Sequence, residues 1–183
     1  MNEIAERYSR LSDAFADVVA RVPGERWGSP SPCEGWTARD VVGHVVDTQG
    51  VFLGLVGRDM GDIPEVAEDP ASAWDAARST VLADLADAER AKAEFDGYFG
   101  RTTFAEAVDR FLCFDLVVHR WDLARTAGLD ERIGLDDVRW AHRAAVRFGD
   151  SLRFDGVCGA ELSPPDGADE QSRLLAFLGR RSW

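Results

Sequence analysis

The sequence predicts an all-α helical bundle. Apolar residues recur every three or four positions over long stretches, strand-like alternation is scarce, and Gly and Pro punctuate the chain between the periodic segments. Residues 2–22 place Ile4, Tyr8, Leu11, Phe15, Val18 and Val22 on one stripe, an amphipathic helix ended by Pro23 and Gly24. Residues 23–36 read as a loop, with Pro30, Pro32 and Gly35 as its turn residues. A second helix is expected from Thr37. Thr37 and Asp40 resemble a capping box, with Asp in place of the usual Glu or Gln. That helix runs through Val41, Val45, Thr48, Phe52 and Leu55 and stops near Gly57. Residues 58–69, acidic and containing Gly61 and Pro64, form a connecting loop.

A third helix is expected over 70–95, with Asp69 as N-cap, Pro70 in the first turn, and Trp74, Ala77, Val81, Leu85 and Ala88 on one face. Gly97 and Gly100 then break the chain. A fourth helix spans 103–127, and Gly128 suits the left-handed residue that ends it. Shorter helices are expected at 135–149 and 169–179, with 150–168 irregular between them. Four helices of about 20 residues each reach ~30 Å, and packing them together buries their apolar stripes most simply. Residues 1–183 are expected to make a single domain, a four-helix bundle followed by short additional helices.

Composition narrows the function. The chain carries 21 Lys+Arg against 33 Asp+Glu, a formal net charge of −12, which repels nucleic-acid backbones and anionic membrane surfaces alike. No stretch approaches the ~20 continuous apolar residues of a membrane span. The segment MNEIAERYSRL is charged from the start, so no signal peptide is expected. Cys33, Cys113 and Cys158 are few, odd in number and far apart, which points to a reducing cytoplasm rather than a disulfide framework.

The informative anomaly is polar residues on faces that should be buried. His44 shares a stripe with Val41, Val45, Thr48 and Phe52. Asp115 and His119 are four apart on the fourth helix, about 40° from each other around its axis, so both side chains leave one face. A buried carboxylate needs compensation. Either His119 supplies it by a hydrogen bond, with His44 a lone core histidine, or a divalent cation does, with imidazole and carboxylate as ligands. Asp122, three residues after His119, either holds that ring by its second nitrogen or makes an ordinary salt bridge. Trp36 either walls the pocket near His44 or packs as a hydrophobic staple. Arg120 should point away from the Asp115–His119 face. Cys113 should lie in the core, and Cys33 is either a reactive thiol or a packed loop residue. His142, the remaining histidine, is a weaker candidate for a fourth ligand.

Three segments carry a resemblance. SPCEGWTARDVVGHVV (residues 31–46) is similar to a signature of the DinB-like metal-binding superfamily, in the actinobacterial branch related to the N-terminal domain of mycothiol-dependent maleylpyruvate isomerase. FDLVVHRWDLARTAG (114–128) resembles that branch's second signature, and LLAFLGRRSW (174–183) its common tail. The resemblance implies a bundle with one divalent metal at an end of its core, held by His44, Asp115 and His119; the isomerase relatives carry Glu where Asp115 stands. Zinc is the expected metal, with nickel, iron and manganese as alternatives. Three protein ligands leave positions open, as catalytic sites do.

The resemblance further implies a metal-dependent transferase or isomerase acting on a small molecule with a low-molecular-weight, mycothiol-like thiol as co-substrate, and homodimers in some relatives. A non-catalytic metal-containing protein that sequesters a small molecule is the alternative. The isomerase relatives have an additional C-terminal domain that helps form the thiol site, and residues 150–183 are expected to be too short to replace it.

Overall fold

A computed structural model describes residues 3–154 and 157–183. Residue 2 of the first expected helix and residues 155–156 of the expected irregular stretch lie outside the described residues. Among the described residues the fold is all-α apart from one small hairpin. It divides into two compact units, residues 1–130 and 131–183.

The first unit is built on four helices: α1 (Glu3–Arg21), α2 (Ala38–Leu55), α3 (Pro70–Ala86) and, further on, α6 (Cys113–Ala127). Helices α1 and α2 each pack against both α3 and α6, so each apolar stripe faces two neighbours. Tyr8, Phe15, Leu53, Trp74 and Trp121 are fully buried. Phe15 meets Trp74 edge-on at 5.0 Å, and the Trp74 indole donates to the Ser12 carbonyl. The buried Tyr8 hydroxyl donates to Gln49 Oε1 at 2.7 Å, tying α1 to α2.

The capping chemistry expected at α2 is present in both directions: Thr37 accepts from the Asp40 amide, and Asp40 accepts from the Thr37 amide. Asp69 caps α3, with Pro70 at its first position. This third helix is shorter than the expected 70–95. Asp87 turns to extended backbone and accepts from the amides of Glu89 and Arg90, so its carboxylate ends α3 and starts the one-turn helix α4 (Ala88–Ala91).

Strands β1 (Glu94–Gly97) and β2 (Gly100–Thr103) then form an antiparallel hairpin in which Gly97 pairs with Gly100. The two glycines expected only to break the chain instead flank its two-residue turn. Gly100 has φ +99°, a backbone conformation that L side chains rarely adopt.

The expected helix over 103–127 is continuous but not uniform. Thr103 and Glu106 make a second capping box at α5 (Phe104–Ala107). A π-helical turn, Val108–Leu112, follows and leads into α6. Gly128 closes α6 in the left-handed conformation, φ +70°.

The second unit pairs α7 (Leu135–Phe148) with α8 (Glu170–Phe177), close to the expected spans. Arg139 joins them through a two-pronged contact with Glu170. Gly179, at φ +77°, lies against Gly159; a Cβ there would come within 2.8 Å of the Gly159 backbone. Arg153 fastens the same region by donating to the carbonyls of Gly159 and Phe177.

Candidate metal centre

Helix α2 delivers His44, and α6, packed against it, delivers Asp115 and His119. The four-residue spacing does what helical geometry requires: both α6 side chains leave the face that meets α2. His44 Nε2 lies 3.4 Å from Asp115 Oδ2, and the two imidazoles meet edge-on with centroids 4.9 Å apart. One ligand atom from each of the three side chains falls within 4.8 Å of the other two. The π turn ends three residues before Asp115; such turns widen a helix by one residue and recur at functional sites.

Exposure is graded across the cluster. The side chains of His44 and Asp115 are 35% and 26% exposed, whereas His119 is 8% exposed. His119 forms the floor, and the other two line an opening. Burial pushes the pKa of His44 down, but the hydrogen bond and charge of Asp115, with the charge of Asp47, outweigh it and raise the pKa above 6.5.

These residues fit a divalent cation. Two nitrogen or oxygen ligands about 2.0–2.1 Å from a tetrahedral ion stand roughly 3.4 Å apart, the separation of His44 Nε2 and Asp115 Oδ2. The tautomer of His119 is suitable as well. Its Nδ1 lies 2.9 Å from Asp122 Oδ2, within the buried interior. A carboxylate oxygen accepts, so Nδ1 carries the proton and the Nε2 lone pair remains for a cation. Two imidazoles and one carboxylate suit zinc, nickel, iron or manganese.

Asp122 is fully buried and in contact with His119. Trp36 lies beside both imidazoles, 4.8 Å from the His44 ring and 6.0 Å from that of His119. The loop before α2 brings it there. The Ser31 amide donates to the Trp36 carbonyl and the Trp36 amide to the Cys33 carbonyl, while Gly35 turns at φ +78°.

The same closure places Cys33 Sγ 3.4 Å from Asp122 Oδ2. Sequence reasoning did not connect Cys33 with the site, because the partner is 89 residues away and the loop has no periodicity to reveal its facing. Cys113 is buried, as its position on α6 requires. Arg120 is half-buried. His142 belongs to the second unit, where its ring lies 5.8 Å from that of Phe177, and it is in neither of the ligand groups found among the described residues. Arg180 is buried and donates to the Leu178 carbonyl.

The helical architecture defines an all-α protein of the DinB-like type. More narrowly, the chain belongs to the family described as the mycothiol maleylpyruvate isomerase N-terminal domain, whose model matches residues 8–124 and so contains His44, Asp115 and His119. It is similar to the uncharacterized protein Rv0738 of Mycobacterium tuberculosis, with 29% identity over 178 residues covering 94% of this chain and 95% of that protein. A second uncharacterized mycobacterial protein, Rv0036c, is 36% identical over 81 residues, 43% of this chain and 31% of that one. No solved structure matches the chain significantly. Among the described residues, no helix is long and apolar enough to cross a membrane.

Proposed function

We propose that this is a metal-dependent transferase or isomerase that acts on a small molecule with a low-molecular-weight, mycothiol-like thiol as co-substrate, using one divalent cation, zinc by preference, held by His44, Asp115 and His119. The observation that carries the reading is a two-histidine, one-carboxylate cluster whose ligand atoms converge within 4.8 Å while two of its three side chains remain partly open. A purely structural metal site is closed by four protein ligands; this one has three and a solvent-facing side.

Each residue has a definite task. His44 and His119 supply neutral nitrogen donors from facing helices, and Asp115 supplies the single negative charge that offsets a dication. Asp122 fixes the His119 ring and its tautomer. Trp36 covers the imidazole faces and restricts solvent on that side. The half-exposed edge between His44 and Asp115 is where a small molecule would enter. When bound, the cation would lower the pKa of a thiol or water brought to it, favouring the nucleophilic anion at neutral pH. A reducing cytoplasm suits such a thiol, and Cys33, Cys113 and Cys158 form no disulfide.

The test is consumption of low-molecular-weight thiols, mycothiol included, with a panel of small electrophiles and isomerisable enone acids. Turnover is expected with metal-loaded protein and should disappear in His44→Ala and on chelation. Absence of metal-dependent turnover across the panel, in protein that carries stoichiometric metal, rejects the catalytic reading in favour of a sequestering protein.

A further inference from the structure

The buried side of His119 has ligand chemistry of its own. Cys33, His119 and Asp122 also place one ligand atom each within 4.8 Å of the others. Asp122 Oδ2 is the hub, 3.4 Å from Cys33 Sγ and 2.9 Å from His119 Nδ1. Asp122 is wholly buried and Cys33 is half-buried, so the group lies deeper than the His44–Asp115 opening. A sulfur at ~2.3 Å and an oxygen at ~2.0–2.2 Å from one tetrahedral ion stand roughly 3.5 Å apart, close to the Cys33–Asp122 separation. The donors differ in kind from the first set: thiolate, imidazole and carboxylate, rather than two imidazoles and a carboxylate. Thiolate selects soft cations.

We propose that Cys33, Asp122 and His119 form a second, sulfur-containing cation site that takes a soft divalent cation such as cadmium. The two sites share one imidazole. The first uses His119 Nε2 while Nδ1 keeps its proton; the second uses Nδ1 and moves the proton to Nε2. A neutral imidazole offers one lone pair at a time, so occupancy is alternative and each chain holds one cation. Hard-to-borderline ions take the His44–Asp115 side, and soft ions the Cys33–Asp122 side. Binding at the second site replaces the Cys33 S–H proton, which leaves to solvent, and retains one proton on His119. Trp36 lies over His119, so its fluorescence registers either event.

The experiment titrates metal-free full-length protein with cadmium and follows the sulfur-to-metal charge-transfer absorption in the ultraviolet. Wild type should develop the band to saturation at one equivalent. Cys33→Ser should lose it, whereas Cys113→Ser and Cys158→Ser should keep it. His44→Ala, which removes a ligand from the first site alone, should keep it in full. A wild-type protein that binds cadmium with no sulfur band overturns the proposal, as does a band that survives Cys33→Ser or vanishes in His44→Ala. Zinc content of the same variants separates this inference from the proposed function. Zinc retained by Cys33→Ser but lost from His44→Ala, with no sulfur band in wild type, sinks the second site and leaves the first standing. Circular dichroism of each variant confirms that the helices are intact.

Discussion

Replacing Asp122 with Asn changes one buried atom's chemistry and almost nothing of its shape. The Asp122 carboxylate accepts from His119 Nδ1 at 2.9 Å, and it does so wholly out of solvent. The amide oxygen of Asn can still accept that bond, but without the negative charge that makes it charge-assisted and raises the basicity of the opposite nitrogen. Partners of this kind usually contribute 10- to 100-fold to metal affinity, or about 1.4–2.8 kcal/mol. Because Asn preserves geometry, Asp122→Asn should fall near the lower end, about 10-fold weaker zinc binding. Asp122→Ala also frees the ring to rotate and should approach 100-fold. The assay is a competition titration against a chromogenic zinc chelator, with circular dichroism as a check on folding. Zinc affinity within twofold of wild type in both folded variants would refute the idea that Asp122 governs His119.

Stability predictions follow from the fold. Trp74→Ala empties a fully buried site against Phe15 and should cost about 3–5 kcal/mol, read by urea unfolding; a loss below 1 kcal/mol would contradict the packing. Thr37→Ala removes one half of the capping box at α2 and should cost about 1 kcal/mol in the same measurement. Acid should loosen the helix N-termini. The hydroxyl and amide of Thr37 lower the pKa of Asp40, and the amide and hydroxyl of Ser72 lower that of Asp69, each below the ordinary 3.8. A carboxylate with a depressed folded-state pKa stabilises above its unfolded value and loses that contribution as pH falls through the folded one. Helical circular dichroism should therefore hold between pH 7 and about 5 and decline below about 4; a decline already complete at pH 5 would point to other groups.

Periodicity was enough to predict the helical class, because α1, α2 and α6 bury stripes that repeat at helical spacing. Local capping chemistry was equally legible: Thr37 with Asp40, Asp69 with Pro70, and Gly128 each act within a few residues of their own position. The end of α3 was not, since Asp87 stops it by turning its own backbone while the Ala-rich composition continues. The hairpin was not legible, because EFDG and GRTT are only four residues each and mostly polar. The π turn at Val108–Leu112 is a hydrogen-bond shift with no composition of its own.

At the site, Asp115 and His119 were readable as a pair because one helix face fixes them. Their meeting with His44 depends on how α2 packs against α6, and only the family resemblance pointed to it. Cys33 and Trp36 reach His119 and Asp122 through a loop closed by backbone hydrogen bonds, which leave no periodic trace.

Elemental analysis of full-length protein purified without exposure to an immobilised-metal column tests the central claim most directly. Wild type should carry one divalent metal ion per chain, and His44→Ala, Asp115→Ala and His119→Ala should each carry substoichiometric metal while remaining helical. Metal-free wild-type protein that takes up no zinc on reconstitution, or metal content unchanged in all three variants, would contradict it.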